Sequence, residues 1–326
     1  MATRMKLKTP GDYLLRRDVC SYGYFLLAPN HWDPRSGVFS RVCTLGDGPA
    51  LVEVAQEKAG GELAVKVGRA LLKEEKKELT VQLTRMLRLD EDASTLREFH
   101  ASDPRFAGIG RGRLFRSPTL FEDVIKTVTS CNVTWPNTVN MNRRICEVLG
   151  DAVEVKGGKR HGFPSATKLA RTRPATLRAR CRVGYRDARI VELAKLFTLP
   201  KSRGGIDVGW MEDPATPDEP LYEALIDLPG IGPYAAANIL QLLGRYHRLP
   251  CDTESVRHGK AVLGMTGSSA QIMKKIHEHF APMGRHAFRS YWFELWEFYE
   301  KKHGPSWTWE RDSTGKMFTA AELNKK

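Results

Sequence analysis

Between residues 22 and 68 the apolar positions fall in short runs rich in β-branched and aromatic side chains: 22-YGYFLLA-28, 38-VFSRVCTL-45, 49-PALVEVA-55 and 62-ELAVKVG-68. Gly, Pro, Asn and Asp punctuate the gaps between them, so the runs predict an antiparallel sheet. In the last run Leu63, Val65 and Val67 alternate with Glu62, Ala64 and Lys66, the period of a strand with one buried face. From Lys73 onward the period becomes helical, with Leu79, Leu83 and Met86 on one side. In 118-PTLFEDVIKTVTSC-131 the residues Leu120, Phe121, Val124, Ile125 and Val128 form an apolar stripe, Ser117 suits the N-cap and Pro118 the first turn. Further helices are predicted near 138–149, 164–170, 174–181, 186–198, 219–227, 234–244, 269–281 and 286–301. Beyond residue 100 only 152–156 hints at a strand, and 199–218, rich in Gly, Pro and Asp, reads as a connection. The predicted architecture is α+β. An N-terminal antiparallel sheet domain with a following helix covers 1–105, an all-helical body covers 106–310, and a tail covers 311–326.

Composition narrows the partners. A chain of 326 residues is long enough for two domains of ordinary size, and 41% hydrophobic with 27% charged residues argues against extensive disorder. Fifty-one Lys and Arg against 38 Asp and Glu leave a net charge of +13, which attracts polyanions. Nucleic acid is the favoured partner, although charge alone leaves solubility or an anionic membrane surface open. No apolar run reaches the ~18–20 residues that span a bilayer. The opening MATRMKLKTPGDYLLRR lacks the apolar stretch and cleavage site of a secretory signal, so an intracellular protein is expected. The six cysteines are scattered and form no CxxC pair. That gives zinc and iron–sulfur ligation no support and fits small core side chains in a reducing compartment.

Chemistry concentrates in 219-EPLYEALIDLPGIGPYAAANILQLLGRYHRLPCDTESVRH-258. Leu221, Leu225 and Leu228 mark one amphipathic helix, 228-LPGIGPY-234 a tight turn, and Ile239, Leu240 and Leu243 a second helix. Gly230 and Gly232 let the backbone turn sharply and approach a ligand, and Pro233 suits a first helical turn. Amides freed by such a turn, beside the positive end of a helix, are suited to hold a phosphate. Glycine used for packing alone is the plain alternative. Asp252 follows 18 residues beyond Tyr234, within 250-PCDTESVRH-258.

The hairpin, the second helix and the Asp-Thr that follows together resemble the helix-hairpin-helix DNA glycosylase superfamily. The sheet before the helices, with 29-PNHWDPRSGVF-39, 161-HGFPSATKLA-170 and 184-GYRDARIVELA-194, is similar to the branch holding alkyladenine and 8-oxoguanine glycosylases. The resemblance implies a two-lobed helical glycosylase body with its hairpin at 219–244. It also implies a function in base excision repair: hydrolysis of the N-glycosidic bond of a flipped, damaged base in double-stranded DNA. An alkylated or oxidised purine is favoured, with the abasic product passed to an abasic-site endonuclease. A monomer is expected, in the nucleus of a eukaryote or the cytoplasm and nucleoid of a prokaryote. The cluster signature of iron–sulfur relatives is absent, so no cofactor and no catalytic metal are expected. A structural monovalent cation at the hairpin is compatible with the resemblance.

The resemblance also assigns roles. Asp252 becomes the catalytic carboxylate that stabilises positive charge on the sugar, the alternative being an N-cap for the helix after it. Leu228, Gly230, Ile231, Gly232 and Pro233 form the DNA-gripping hairpin. Relatives that cut the strand carry a lysine where this chain has Tyr234. Tyrosine forms no Schiff base, so a monofunctional enzyme is expected. Tyr234, Cys20 and Glu254 are base-pocket candidates. Asn132 would plug the gap left by the flipped base, Tyr185 would wedge beside the estranged base and Arg186 would contact it. Their alternatives are a helix C-cap, a core aromatic and a solvated charge. Asn137, where an 8-oxoguanine enzyme has a second arginine, and Glu254, where it has a histidine, depart from that pattern. A non-catalytic hairpin DNA-binding protein and a glycosylase with lyase activity from another amine stand as alternatives.

Overall fold

The computed structural model describes residues 2–311, so the tail assigned to 311–326 lies outside the described residues except for Arg311. Five strands, β1 (Thr3–Leu7), β2 (His31–Asp33), β3 (Val38–Leu45), β4 (Gly48–Gln56) and β5 (Leu63–Val67), form an antiparallel sheet in the order β1-β5-β4-β3-β2. The register places Val54 beside Val65 and Val52 beside Val67, so the buried positions of neighbouring strands share one face. Strand β1, not among the runs expected from the sequence, turns Met5 and Leu7 toward the core. It is an edge strand whose exposed Arg4 and Lys6 discourage further pairing.

The run at 22–28, expected as a strand, is instead a 3-10 turn over Gly23–Leu26. Tyr22, Tyr24, Phe25, Leu26 and Leu27 are all buried, and an apolar run without alternation carries no period to separate strand from turn. The hint at 152–156 corresponds to β6 (Ala152–Val155), paired with an unforeseen β7 (Gly158–His161).

Among the described residues ten longer helices follow the sheet: α1 (Lys73–Met86), α2 (Ala93–Ser102), α3 (Leu120–Ser130), α4 (Trp135–Leu149) and α5 (Asp187–Thr198), then α6 (Asp218–Ile226), α7 (Pro233–Leu242), α8 (Thr253–Ala261), α9 (Ser269–Phe280) and α10 (Ala287–His303). The α3 N-cap is Thr119, which accepts from the Glu122 amide at 3.2 Å, rather than Ser117, whose own amide donates to Asp123.

Two apolar cores result. One joins the sheet to α1, α2, α9 and α10 through residues such as Phe39, Val65, Leu83, Phe99 and Phe288. The other lies among α3 to α7, around Ile125, Ile145, Ile190, Leu225 and Leu240. The sheet therefore packs on helices from the far end of the chain. Helix α7 bridges the lobes, placing Ile239 and Leu240 in one core and Leu242 in the other. Buried ion pairs stitch the same seam: Glu122 of α3 meets Arg41 of β3 at 2.8 Å and Lys126 at 2.7 Å, and Asp123 meets Arg85 of α1 at 2.8 Å. Charges so deeply buried persist only when paired.

Candidate active site

Helices α6 and α7 meet in a turn whose form is set by a few residues. Leu228 and Ile231 are buried, and the Ile231 amide donates to the Leu228 carbonyl at 3.0 Å, closing the turn inward. Gly230 has φ 77°, a conformation that disfavours any side chain, and a Cβ there would also lie 2.5 Å from Cδ of the exposed Arg189, which would have to swing aside. Gly232 is exposed, with nothing within 4 Å of where a Cβ would stand, and precedes Pro233 at the start of α7. Among the described residues no acceptor meets the amides of Gly230 or Gly232. They lie free beside the positive end of α7, a setting for an anion.

In the first turn of α7, Tyr234 faces Asp252, the N-cap of α8. Asp252 Oδ1 accepts from the amides of Glu254 at 2.9 Å and Ser255 at 3.1 Å, while Oδ2 accepts from the Tyr234 hydroxyl at 3.1 Å. Ser255 Oγ in turn accepts from the Asp252 amide at 3.2 Å and pairs with the Tyr291 hydroxyl of α10 at 2.7 Å. Capping and a site role are therefore compatible: one oxygen caps, the other faces Tyr234. Burial pushes the Asp252 carboxyl above the usual range, against the pull of the Ser255 amide and the Tyr234 hydroxyl. Burial, reinforced by Asp252, holds the Tyr234 phenol well above its ordinary value, so it is protonated and donates.

Asp252 opens onto a cavity of about 830 Å³ at the junction of the lobes. Tyr22 and Gly23 form one wall, Cys131, Asn132 and Trp135 between α3 and α4 another, and Trp292, Trp296 and Tyr299 of α10 a third. The aromatic rings support one another: Tyr22 lies 4.7 Å from Trp292, which stacks on Trp296 at 5.3 Å. Their indoles are pinned by the carbonyls of Ser21 and Cys20, at 2.8 and 3.1 Å. At Gly23 a Cβ would lie 2.8 Å from the Trp135 ring. Among the described residues two carboxylates, Asp252 and Glu254, line the cavity, and no Lys, Arg or His does. The thiols of Cys131 and Cys251 are pushed up to about 11 by burial, which keeps them from acting as thiolates at neutral pH.

The remaining sequence candidates separate. Glu254 lines the cavity, with Oε1 accepting from Arg257 Nε at 2.7 Å and the Tyr299 hydroxyl at 2.5 Å. Asn132 lies exposed just past α3 with φ 50°, on the cavity wall. Tyr185 is 53% exposed on the turn Gly184–Arg186. Cys20 is not on the cavity wall. It is fully buried, and Tyr22 and Gly23 occupy the wall instead, because the segment turns where a strand was expected. Arg186 does not face outward either. Its buried guanidinium donates to the carbonyls of Val128 at 3.1 Å, Val183 at 3.3 Å and Cys131, bracing the end of α3. The exposed cation beside Tyr185 is Arg189, 5.4 Å from its ring and packed over Gly230.

Arg189, Tyr22, Trp135 and Asn238 were not singled out by the sequence. The aromatic run 291-YWFELWEFY-299 reads in sequence only as a helix, and the structure places its Trp292, Trp296 and Tyr299 on the cavity wall. Among the described residues no three His, Cys, Asp or Glu gather where a metal could sit, and no helix is long and apolar enough to cross a membrane.

No family model and no curated protein matches the chain. Solved structures do. The chain is similar to a 3-methyladenine DNA glycosylase from Archaeoglobus fulgidus, at 21% identity and TM-score 0.67, covering 90% of this chain and 98% of that one. It is also similar to an 8-oxoguanine glycosylase/lyase from Clostridium acetobutylicum in its apo-form, at 19% identity and TM-score 0.63, covering 89% and 95%. The same enzyme in complex with double-stranded DNA containing cytosine opposite to 8-oxoG gives 20% identity and TM-score 0.64, covering 91% and 98%.

Proposed function

We propose, on the premise of a fold shared with the helix-hairpin-helix DNA glycosylases, that this chain is a monofunctional DNA glycosylase acting on an everted, alkylated purine. In this reading the amides of Gly230 and Gly232 hold a phosphate of the strand, and the extruded base enters the cavity between Tyr22 and the indoles of α10. The C1′–N bond breaks and the base leaves with the electron pair. The positive charge that develops on the sugar is stabilised by the Asp252 carboxylate. Water then adds at C1′ and loses a proton, leaving an abasic site for an abasic-site endonuclease.

The observation that carries the substrate reading is the charge of the cavity. Among its described residues a protein of net charge +13 lines the cavity with two carboxylates and no cation. Aromatic faces and acidic groups favour a base that is itself positively charged, as N-alkylated purines are. Such a base also leaves readily, needing little beyond a carboxylate. The absence of lysine among the described residues of the same lining supports hydrolysis without strand cleavage, since a Schiff base needs an amine at C1′. Lys126 is sealed behind Tyr24 with Glu122.

The test uses duplexes each carrying one 7-methylguanine, 3-methyladenine or 8-oxoguanine, with free base measured by chromatography and strand breaks on a gel. The expected result is release of the alkylpurines, with breaks only after alkali. Failure to release any base, or cleavage without alkali together with borohydride trapping, overturns the reading.

A further inference from the structure

We propose that Tyr234 is a positioning residue, its phenol holding Asp252 Oδ2 in the one orientation from which that oxygen meets the sugar; this rests on the reading of Asp252 as the catalytic carboxylate.

The division of labour at the carboxylate carries the inference. Oδ1 is committed to the helix, accepting from the Glu254 and Ser255 amides at 2.9 and 3.1 Å. Among the described residues Oδ2 has a single partner, the Tyr234 hydroxyl at 3.1 Å. A carboxylate oxygen accepts in more than one direction, so Tyr234 occupies one side of Oδ2 and leaves another for the sugar or the incoming water. The cap alone fixes Oδ1; rotation about the Cβ–Cγ bond is stopped by the second anchor.

Tyr234 is itself fixed. It sits in the first turn of α7, where Asn238 Nδ2 donates to its carbonyl at 3.0 Å, and Asn238 Oδ1 accepts from the Tyr22 hydroxyl at 3.4 Å. Tyr22 packs on Trp292 at 4.7 Å. The aromatic wall thus sets the phenol, and the phenol sets the carboxylate.

The same bond bears on protonation. The ionisable groups facing Asp252 are Tyr234 of α7, Glu254 of its own helix, Tyr291 of α10, and Tyr22, Cys131 and Cys251 around the wall. Burial and the Glu254 charge push the carboxyl up; the Ser255 amide and Tyr234 hold it down. The reaction needs the ionised form, which is lost as pH falls through the folded value. Removing the phenol raises that value, so activity is lost at a higher pH.

Tyr234→Phe keeps the ring and deletes the bond. Two readouts are taken: titration of ¹³C-labelled aspartate carboxyls in the free protein, with Asp252→Asn identifying the resonance, and single-turnover release of 7-methylguanine across pH. In Tyr234→Phe the Asp252 midpoint moves up by about one pH unit or more, and the neutral-pH rate falls about tenfold to a hundredfold, as loss of a hydrogen bond to a charged group allows. Lesion-duplex affinity is unchanged, and the acid limb of the rate profile moves up with the midpoint. An unmoved midpoint, or an unchanged rate where wild type releases base, overturns the proposal. A moved midpoint in a protein that releases no base from any lesion upholds the contact and sinks the glycosylase reading instead.

Discussion

Replacing Asp252 by Asn and by Ala separates two duties that the structure assigns to one side chain. Oδ1 caps α8 through two amides, and the carboxylate charge faces the cavity. Asparagine keeps a capping oxygen and loses the charge; alanine loses both. Capping loss costs about 0.5–2 kcal/mol. For a chain of 326 residues, with an unfolding entropy of about 2.1 cal/mol/K per residue, that corresponds to a Tm lower by about 1–3 °C. Asp252→Asn escapes this loss. Because burial raises the Asp252 carboxyl, the folded state binds its proton more tightly than the unfolded chain does. Ionisation therefore weakens the fold as pH rises above the unfolded value, and a permanently neutral side chain avoids that penalty at neutral pH. Asp252→Asn should melt at or above wild type, and Asp252→Ala below it. Base release should fall in both by about 10²–10³, the effect of deleting one preorganised electrostatic contact. Calorimetry at pH 7 and single-turnover kinetics read the two effects. An Asn variant that melts with the Ala variant refutes the capping geometry; one that retains wild-type turnover refutes the catalytic assignment.

Gly230→Ala should weaken duplex binding, measured by fluorescence anisotropy, because a Cβ at φ 77° meets Arg189 Cδ at 2.5 Å and reshapes the free amides; the strain is about 1 kcal/mol or more. Unchanged affinity contradicts a phosphate at this turn. Tyr185→Ala removes a ring that is 53% exposed, so the melting temperature should hold while base release from duplex DNA slows. Equal duplex rates for the two proteins place the wedge elsewhere. Glu122→Gln leaves Arg41 and Lys126 buried without their shared anion and should destabilise the fold by about 3–5 kcal/mol in urea unfolding. A loss below ~1 kcal/mol makes the triad incidental.

The parts of the fold that were legible are those where burial imposes a period. Strand β5 alternates because one face meets the core, and α3 repeats its stripe because one side does. Residues 22–28 gave no such signal, being buried all round, and β1 alternates Met5 and Leu7 with Arg4 and Lys6 over too few residues to stand out. Which helices the sheet packs against is a long-range fact: Phe39 and Phe288 share a core across most of the chain, and no local pattern reports that.

The site divides in the same way. The hairpin glycines stood out because a tight turn restricts residue type locally, and Asp252 stood out through the family resemblance of the stretch that holds it. Tyr22 and Trp292 were not readable as one wall, since their contact at 4.7 Å exists only in the folded chain. Arg186 and Arg189 look alike in sequence; only the buried carbonyls of Val128 and Val183 separate the brace from the exposed cation.

A crystal structure of Asp252→Asn bound to a duplex carrying one 7-methylguanine tests the central claim most directly. The account predicts the modified base everted into the cavity between Tyr22 and Trp292, its sugar beside residue 252, and a strand phosphate on the amides of Gly230 and Gly232. A lesion still stacked within the helix, or DNA seated on a face remote from the hairpin, contradicts it.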